Sequence, residues 1–115
     1  MKVYIVEAKR SAIGKYLGSL KDIDPGHLAG EVIKDLIKDI DRNIVDEVIV
    51  GNILSAGHSQ GVGRQASIYG GLPESTVAYS LNMICGSGMK SLMNAFYEIK
   101  AGNKEVVIAG SWEHV

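Results

Sequence analysis

Apolar side chains recur at Leu28, Val32, Ile33, Leu36, Ile37 and Ile40, with Glu31, Lys34, Asp35 and Lys38 on the opposite side. That is the 3.6-residue period of an amphipathic helix. Asp24-Pro25 stands in front of it, an N-cap acid followed by a proline suited to the first helical position. A second helical period runs over 87–101, where Met89, Leu92, Met93, Phe96 and Ile99 share a face and Gly102 closes the segment. Val62 to Tyr69 predicts a shorter helix, stopped by Gly70-Gly71 and Pro73. Between these lie strand-like runs at Val3 to Ala8, Glu47 to Asn52, Thr76 to Met83 and Glu105 to Ala109. Lys9 to Leu20, with Gly14 and Gly18, reads as a loop. The order β-α-β-α-β-α-β predicts an α/β domain around a mainly parallel central sheet. Such a sheet needs helices on both faces. The chain ends six residues after its last predicted strand, so the pattern reads as incomplete within its 115 residues.

Composition narrows the function classes. Hydrophobic residues make up 46% and charged residues 22% of the chain, values ordinary for a globular domain, and the formal net charge is -1. No basic patch argues for nucleic acid or an anionic membrane as partner. No apolar run approaches the roughly 20 residues of a membrane-spanning helix. A single cysteine forms no internal disulfide, which fits a reducing compartment and makes the cytoplasm the default expectation. The fourteen glycines punctuate the joints between apolar segments, as many short strand–helix connections require.

The chemistry concentrates in Asn82-Met83-Ile84-Cys85-Gly86-Ser87-Gly88-Met89-Lys90-Ser91-Leu92. A strand leads into a tight turn there, and a helix starts just after Cys85. The unpaired N–H groups and dipole of a helix N-terminus favour negative charge, and cysteine reacts as the thiolate. The same N–H groups suit a developing oxyanion. Gly86 and Gly88 would leave room for a bulky acyl donor; equally, they would serve close helix–sheet packing. Free cysteine is among the most buried residue types, so Cys85 reads either as a nucleophile or as a small core residue. Spacing alone leaves the two open. The Gly-x-Gly is not a dinucleotide fingerprint, because no third glycine follows at the required offset.

Asn82 to Ser91 resembles the nucleophile motif of thiolases. Further segments agree in order: Ala8-Lys9-Arg10-Ser11-Ala12-Ile13-Gly14-Lys15-Tyr16-Leu17-Gly18-Ser19-Leu20, Val50-Gly51-Asn52-Ile53-Leu54-Ser55-Ala56-Gly57 with Arg64-Gln65-Ala66, and Gly71-Leu72-Pro73-Glu74. Thr-Pro is more usual in the family than Ser11-Ala12. The tail Ser111-Trp112-Glu113-His114-Val115 keeps only Glu113 of the usual family run. The resemblance implies a thiolase-like N-terminal domain, with 1–115 as its N-terminal part and no C-terminal domain. It implies Cys85 as the nucleophile that accepts an acyl group from a coenzyme A thioester, acetyl-CoA above all. Condensation with a second thioester, or thiolytic cleavage in reverse, would follow. Acyl-CoA and coenzyme A are then substrates, no separate cofactor or metal is needed, and the full-length enzyme would be a homo-oligomer. The family's catalytic histidine and second cysteine belong to a C-terminal half, so the 115 residues alone are expected to be inactive.

Other residues carry weaker signals. His58 in a glycine-rich loop reads as a loop or interface histidine, His27 as a surface group in the first turn of its helix, and His114 belongs to the tail. Three histidines so spaced suggest no metal site. Arg64 reads as a loop anchor, Lys90 as a solvated helix residue, and Met83, Met89 and Met93 as apolar lining around Cys85. Two other readings compete: a ketoacyl synthase of the same fold group, and a non-catalytic thiolase-like subunit or interaction module.

Overall fold

A computed structural model describes residues 1–113. Three helices and three strands follow in the order α1 (Pro25–Leu36), β1 (Glu47–Gly51), α2 (Val62–Tyr69), β2 (Val77–Leu81), α3 (Ser87–Lys100) and β3 (Val107–Ser111), with a 3-10 turn at Arg42–Ile44. The sheet is wholly parallel, in the order β2-β1-β3. Glu47 sits opposite both Val77 and Val107, and Gly51 opposite both Leu81 and Ser111, so the three strands end level. The chain leaves the central strand β1 for one neighbour and then crosses to the other. That reversal makes a topological switch point at the C-terminal ends of the strands.

The local chemistry explains the elements. Asp24 caps α1 as its sequence suggests, with Oδ2 accepting from the N–H groups of Gly26 and His27. At the far end of α3, Gly102 adopts φ 80° and the Asn103 N–H reaches back to the Glu98 carbonyl, a left-handed helix stop. β1 is buried along its whole length. Val48 and Val50 join Ala29 and Ile33 of α1 and Ala66 of α2 in one core, and α3 packs on the opposite face of the sheet.

Three expectations change. Val3 to Ala8 is not a strand: β propensity describes fit to a paired, half-buried surface, and none of the described residues pairs with this segment. Tyr4, Ile5 and Val6 are 73%, 83% and 79% exposed. The segment instead borders a cleft of about 530 Å³, lined also by α1, α3 and β3. Lys100 Nζ donates to the Met1 carbonyl at one end, and Lys9 pairs with Asp35 of α1 at 3.4 Å at the other. The last strand starts at Val107, two residues later than expected, because the Glu105 and Val106 N–H groups are taken by the Asp46 carboxylate at 2.8 and 3.1 Å. Finally, α3 buries Ser87, Ser91 and Ala95 rather than its large apolar residues. Met89, Leu92, Met93 and Phe96 are exposed.

Candidate functional site

Residues 82–86 join the end of β2 to the start of α3. Cys85 lies in this turn, exposed, two positions before the helix begins. The turn depends on Ile84, whose φ is 51°. For a β-branched residue that left-handed conformation is an outlier costing about 1–3 kcal/mol. Hydrogen bonds hold it from both sides. Asn82 Oδ1 accepts from the Ile84 N–H at 3.0 Å. Ser87 Oγ donates to the Ile84 carbonyl at 2.7 Å and accepts from the Met83 N–H at 2.8 Å, while the Ser87 N–H reaches the same carbonyl at 3.0 Å. Ser87 is 3% exposed.

The start of α3 presses on the sheet. A Cβ placed on Gly51 would lie 2.8 Å from the Ser87 backbone, and one on Gly88 would lie 2.7 Å from Ser111 Oγ. Gly88 therefore serves close packing, as does Gly51. A Cβ on Gly86 would meet the flexible end of the Met83 side chain at 2.6 Å and the Met83 carbonyl at an ordinary 3.4 Å. The same packing explains the small buried face of α3: with backbones this close, serine and alanine fit between helix and sheet, and longer side chains do not.

The ends of β1 and β3 are tied together beside this turn. The Asn52 N–H donates to the Leu81 carbonyl at 3.0 Å, and Asn52 Nδ2 donates to the Trp112 carbonyl at 3.0 Å. Among the described residues, Asn52 Oδ1 is buried with no hydrogen-bond partner. Glu113 accepts from the Ile53 and Leu54 N–H groups with its two carboxylate oxygens. These anchors fix the start of the 52–61 loop, which borders a second cleft of about 400 Å³ with Ser80, Leu81 and Asn82. Glu113 carried a sequence signal as a family match; the roles of Asn52 and Ser87 had none beyond their presence in motifs.

The described histidines gather elsewhere. His27 Nδ1 lies 3.3 Å from Asp24 Oδ2, and its ring stacks on Tyr69 at 3.7 Å. His58 Nδ1 lies 3.8 Å from Asp24 Oδ1, at the start of α1. His114 falls outside the described residues. Among the described residues no group of histidine, cysteine and acidic side chains could hold a metal ion. Arg64 is a loop anchor, donating to the Thr76 and Glu74 carbonyls at 2.8 Å each. Lys90 is half-buried rather than fully solvated, and Met83, Met89 and Met93 are exposed. No described helix is long and apolar enough to cross a membrane.

Two neighbouring acids at the other end of β1 have opposite electrostatics. The Glu105 and Val106 N–H groups hold the Asp46 carboxyl below its usual range. Burial, followed by the nearby Glu98, pushes the Glu47 carboxyl up.

A family model described as the N-terminal domain of thiolase matches residues 3–115. A probable acetyl-CoA acyltransferase of Staphylococcus epidermidis is 41% identical over 114 residues, covering 97% of this chain and 29% of that protein. A Staphylococcus aureus protein of the same description is 39% identical over 116 residues, covering 99% and 30%. Among solved structures, Acat5 thiolase from Ascaris suum in complex with coenzyme A aligns with a TM-score of 0.89 at 33% identity, covering 92% of this chain and 28% of that one. The chain spans less than a third of the length of these relatives.

Proposed function

The chain belongs to the thiolase family, whose N-terminal domain it matches over residues 3–115, and on that basis we propose that it carries the nucleophile of a coenzyme A-dependent acyltransferase. The observation that carries this reading is the exposed Cys85 on the turn into α3, at the C-terminal end of a parallel sheet. Cys85 Sγ attacks the thioester carbonyl carbon of an acyl-CoA, acetyl-CoA in the first instance. An S–C bond forms, the thioester bond to coenzyme A breaks, and the departing thiolate takes up a proton. The acyl group then waits on Cys85 for a second acyl-CoA carbanion or, in the thiolytic direction, arrives there from a 3-ketoacyl-CoA. Covalent catalysis of this kind splits one difficult step into two. Coenzyme A enters as part of the substrate, and the chemistry calls for no metal or separate cofactor.

Carbon–carbon bond formation also needs a base at the α-carbon and an acid for the leaving thiolate, each worth about 10²–10⁴-fold and each within hydrogen-bond reach of its proton. His58 sits at Asp24, at the start of α1. The resemblance assigns these groups to sequence beyond the 115 residues, so we assign the chain acyl acceptance without turnover. The longer enzyme is expected to work in the cytoplasm as a homo-oligomer. The test is incubation of the chain with acetyl-CoA, and separately with acetoacetyl-CoA and coenzyme A. The expected result is no multiple turnover above a Cys85→Ala control, with one acyl thioester per chain at Cys85. Turnover that survives Cys85→Ala, or acyl groups found only on lysines, would overturn the assignment. A non-catalytic subunit would show neither turnover nor the Cys85 thioester.

A further inference from the structure

We propose that Ser87 is a positioning residue for the nucleophile: it holds Ile84 in a left-handed conformation, and that conformation presents the Cys85 thiol at the head of α3. The inference rests on the reading of Cys85 as the acyl acceptor. It concerns how the thiol is displayed rather than the acyl chemistry itself.

Ile84 has φ 51°, a conformation that a β-branched side chain resists. Its side chain is 62% exposed, so core packing does not impose the conformation. Hydrogen bonds do. The Ile84 carbonyl accepts from both the Ser87 N–H and Ser87 Oγ, at 3.0 and 2.7 Å, and Ser87 Oγ also accepts from the Met83 N–H at 2.8 Å. One hydroxyl thus bridges the residues on both sides of the strained peptide. Ser87 is itself held, because its backbone abuts Gly51 at the end of β1 and it is 3% exposed. Cys85 is the next residue after Ile84. Relaxing Ile84 to negative φ swings the direction in which Cys85 leaves the backbone and moves the thiol off the end of the helix, where negative charge is favoured. The clamp and the nucleophile are therefore parts of one device, with Ser87 touching no substrate.

The device predicts a specific rescue. Glycine adopts φ near 51° without strain, so Ile84→Gly removes the need for a clamp. Cys85 is the only cysteine of the chain, so thiol alkylation by iodoacetamide reads its presentation directly. In chains shown by circular dichroism to be folded at the assay temperature, Ser87→Ala should slow alkylation at least about fivefold. Ile84→Gly alone should alkylate within about twofold of the unsubstituted chain, and the Ile84→Gly/Ser87→Ala double variant should return to that rate. A purely structural serine would lower the melting temperature without changing the alkylation rate of folded chain. Unchanged alkylation in folded Ser87→Ala, or a loss that Ile84→Gly does not restore, overturns the proposal. If Ser87→Ala does not fold, a folded double variant with the original rate supports the clamp, and a double variant that also fails to fold contradicts it. A chain that behaves as predicted here yet takes no acyl group from acetyl-CoA would sink the acyltransferase reading and leave the clamp standing.

Discussion

The two faces of the sheet are built on different principles. On the α1–α2 face, Ile33, Val48, Val50 and Ala66 pack as large and small side chains in one core, with Leu36 and Ile40 of the α1 apolar period half-buried against it. On the α3 face the helix comes so close to the strand ends at Gly51 and Ser111 that only Ser87, Ser91 and Ala95 fit beneath it. Its methionines and Phe96 are exposed. One face stabilises by burying apolar volume. The other gives up that volume to bring a helix N-terminus, and Cys85 with it, hard against the end of the sheet.

That contrast can be broken by mutation. The largest effect is expected on the first face: Ile33→Ala should cost about 2–5 kcal/mol, measured by denaturant unfolding, because Ile33 is 5% exposed in a packed core. Next comes Gly51→Ala. Its new Cβ has only backbone and the Ser87 Cβ to push against, and the expected loss is about 1–3 kcal/mol with slower Cys85 alkylation. Gly88→Ala should cost less, since it meets the Ser111 hydroxyl, and Ser111→Ala should relieve part of the loss. Met89→Ala, on the same helix, is expected to change stability by no more than about 0.5 kcal/mol because Met89 is 66% exposed. A loss at Met89 equal to that at Ile33 would contradict the two-face account.

Asp46 and Glu47 sharpen the picture at the opposite end of β1. Asp46→Ala should cost about 1–2 kcal/mol at neutral pH through its two backbone hydrogen bonds. Its folded-state carboxyl titrates below its ordinary range, so this stability is present above the unfolded-state value and is lost as pH falls through the lower folded value. Glu47 has the opposite sign. Its carboxyl is raised above its ordinary range, so the buried charge destabilises at neutral pH, and the penalty shrinks as pH falls through the raised folded value and is gone below the unfolded-state one. Relative to the original chain, Glu47→Gln should therefore gain stability as pH rises from about 4 towards 7, whereas Asp46→Ala should lose it at more acid pH, as pH rises from the lowered folded value through about 4. Thermal melts that extend into the acid range as well as up to neutral pH read both slopes.

Much of this was legible in the chain, and the reasons for the failures are physical. Asp24-Pro25, the bounds of α2 and the stop at Gly102 follow from local chemistry that folding does not override. The parallel α/β order followed from alternation of periods. Val3 to Ala8 failed because a strand is a property of two segments, and its apolar character is spent bordering a cleft. The start of the last strand failed because a side chain, Asp46, competes for its first N–H groups. The buried face of α3 failed because a hydrophobic period locates a helix but does not report how closely its backbone is approached. At the candidate site, the turn and the glycines were readable, and so was the place of Cys85. The double duty of Ser87 was not, because it depends on the φ of a neighbouring isoleucine.

The central claim is that Cys85 is an acyl acceptor displayed by this packing. Its most direct measurement is the intact mass of the chain after incubation with acetyl-CoA, followed by peptide mapping and hydroxylamine treatment. The account predicts one acetyl group per chain, located on the peptide containing Cys85, released by hydroxylamine as a thioester and absent from Cys85→Ala. A chain that stays unmodified, or whose acetyl groups resist hydroxylamine and persist in Cys85→Ala, would contradict it.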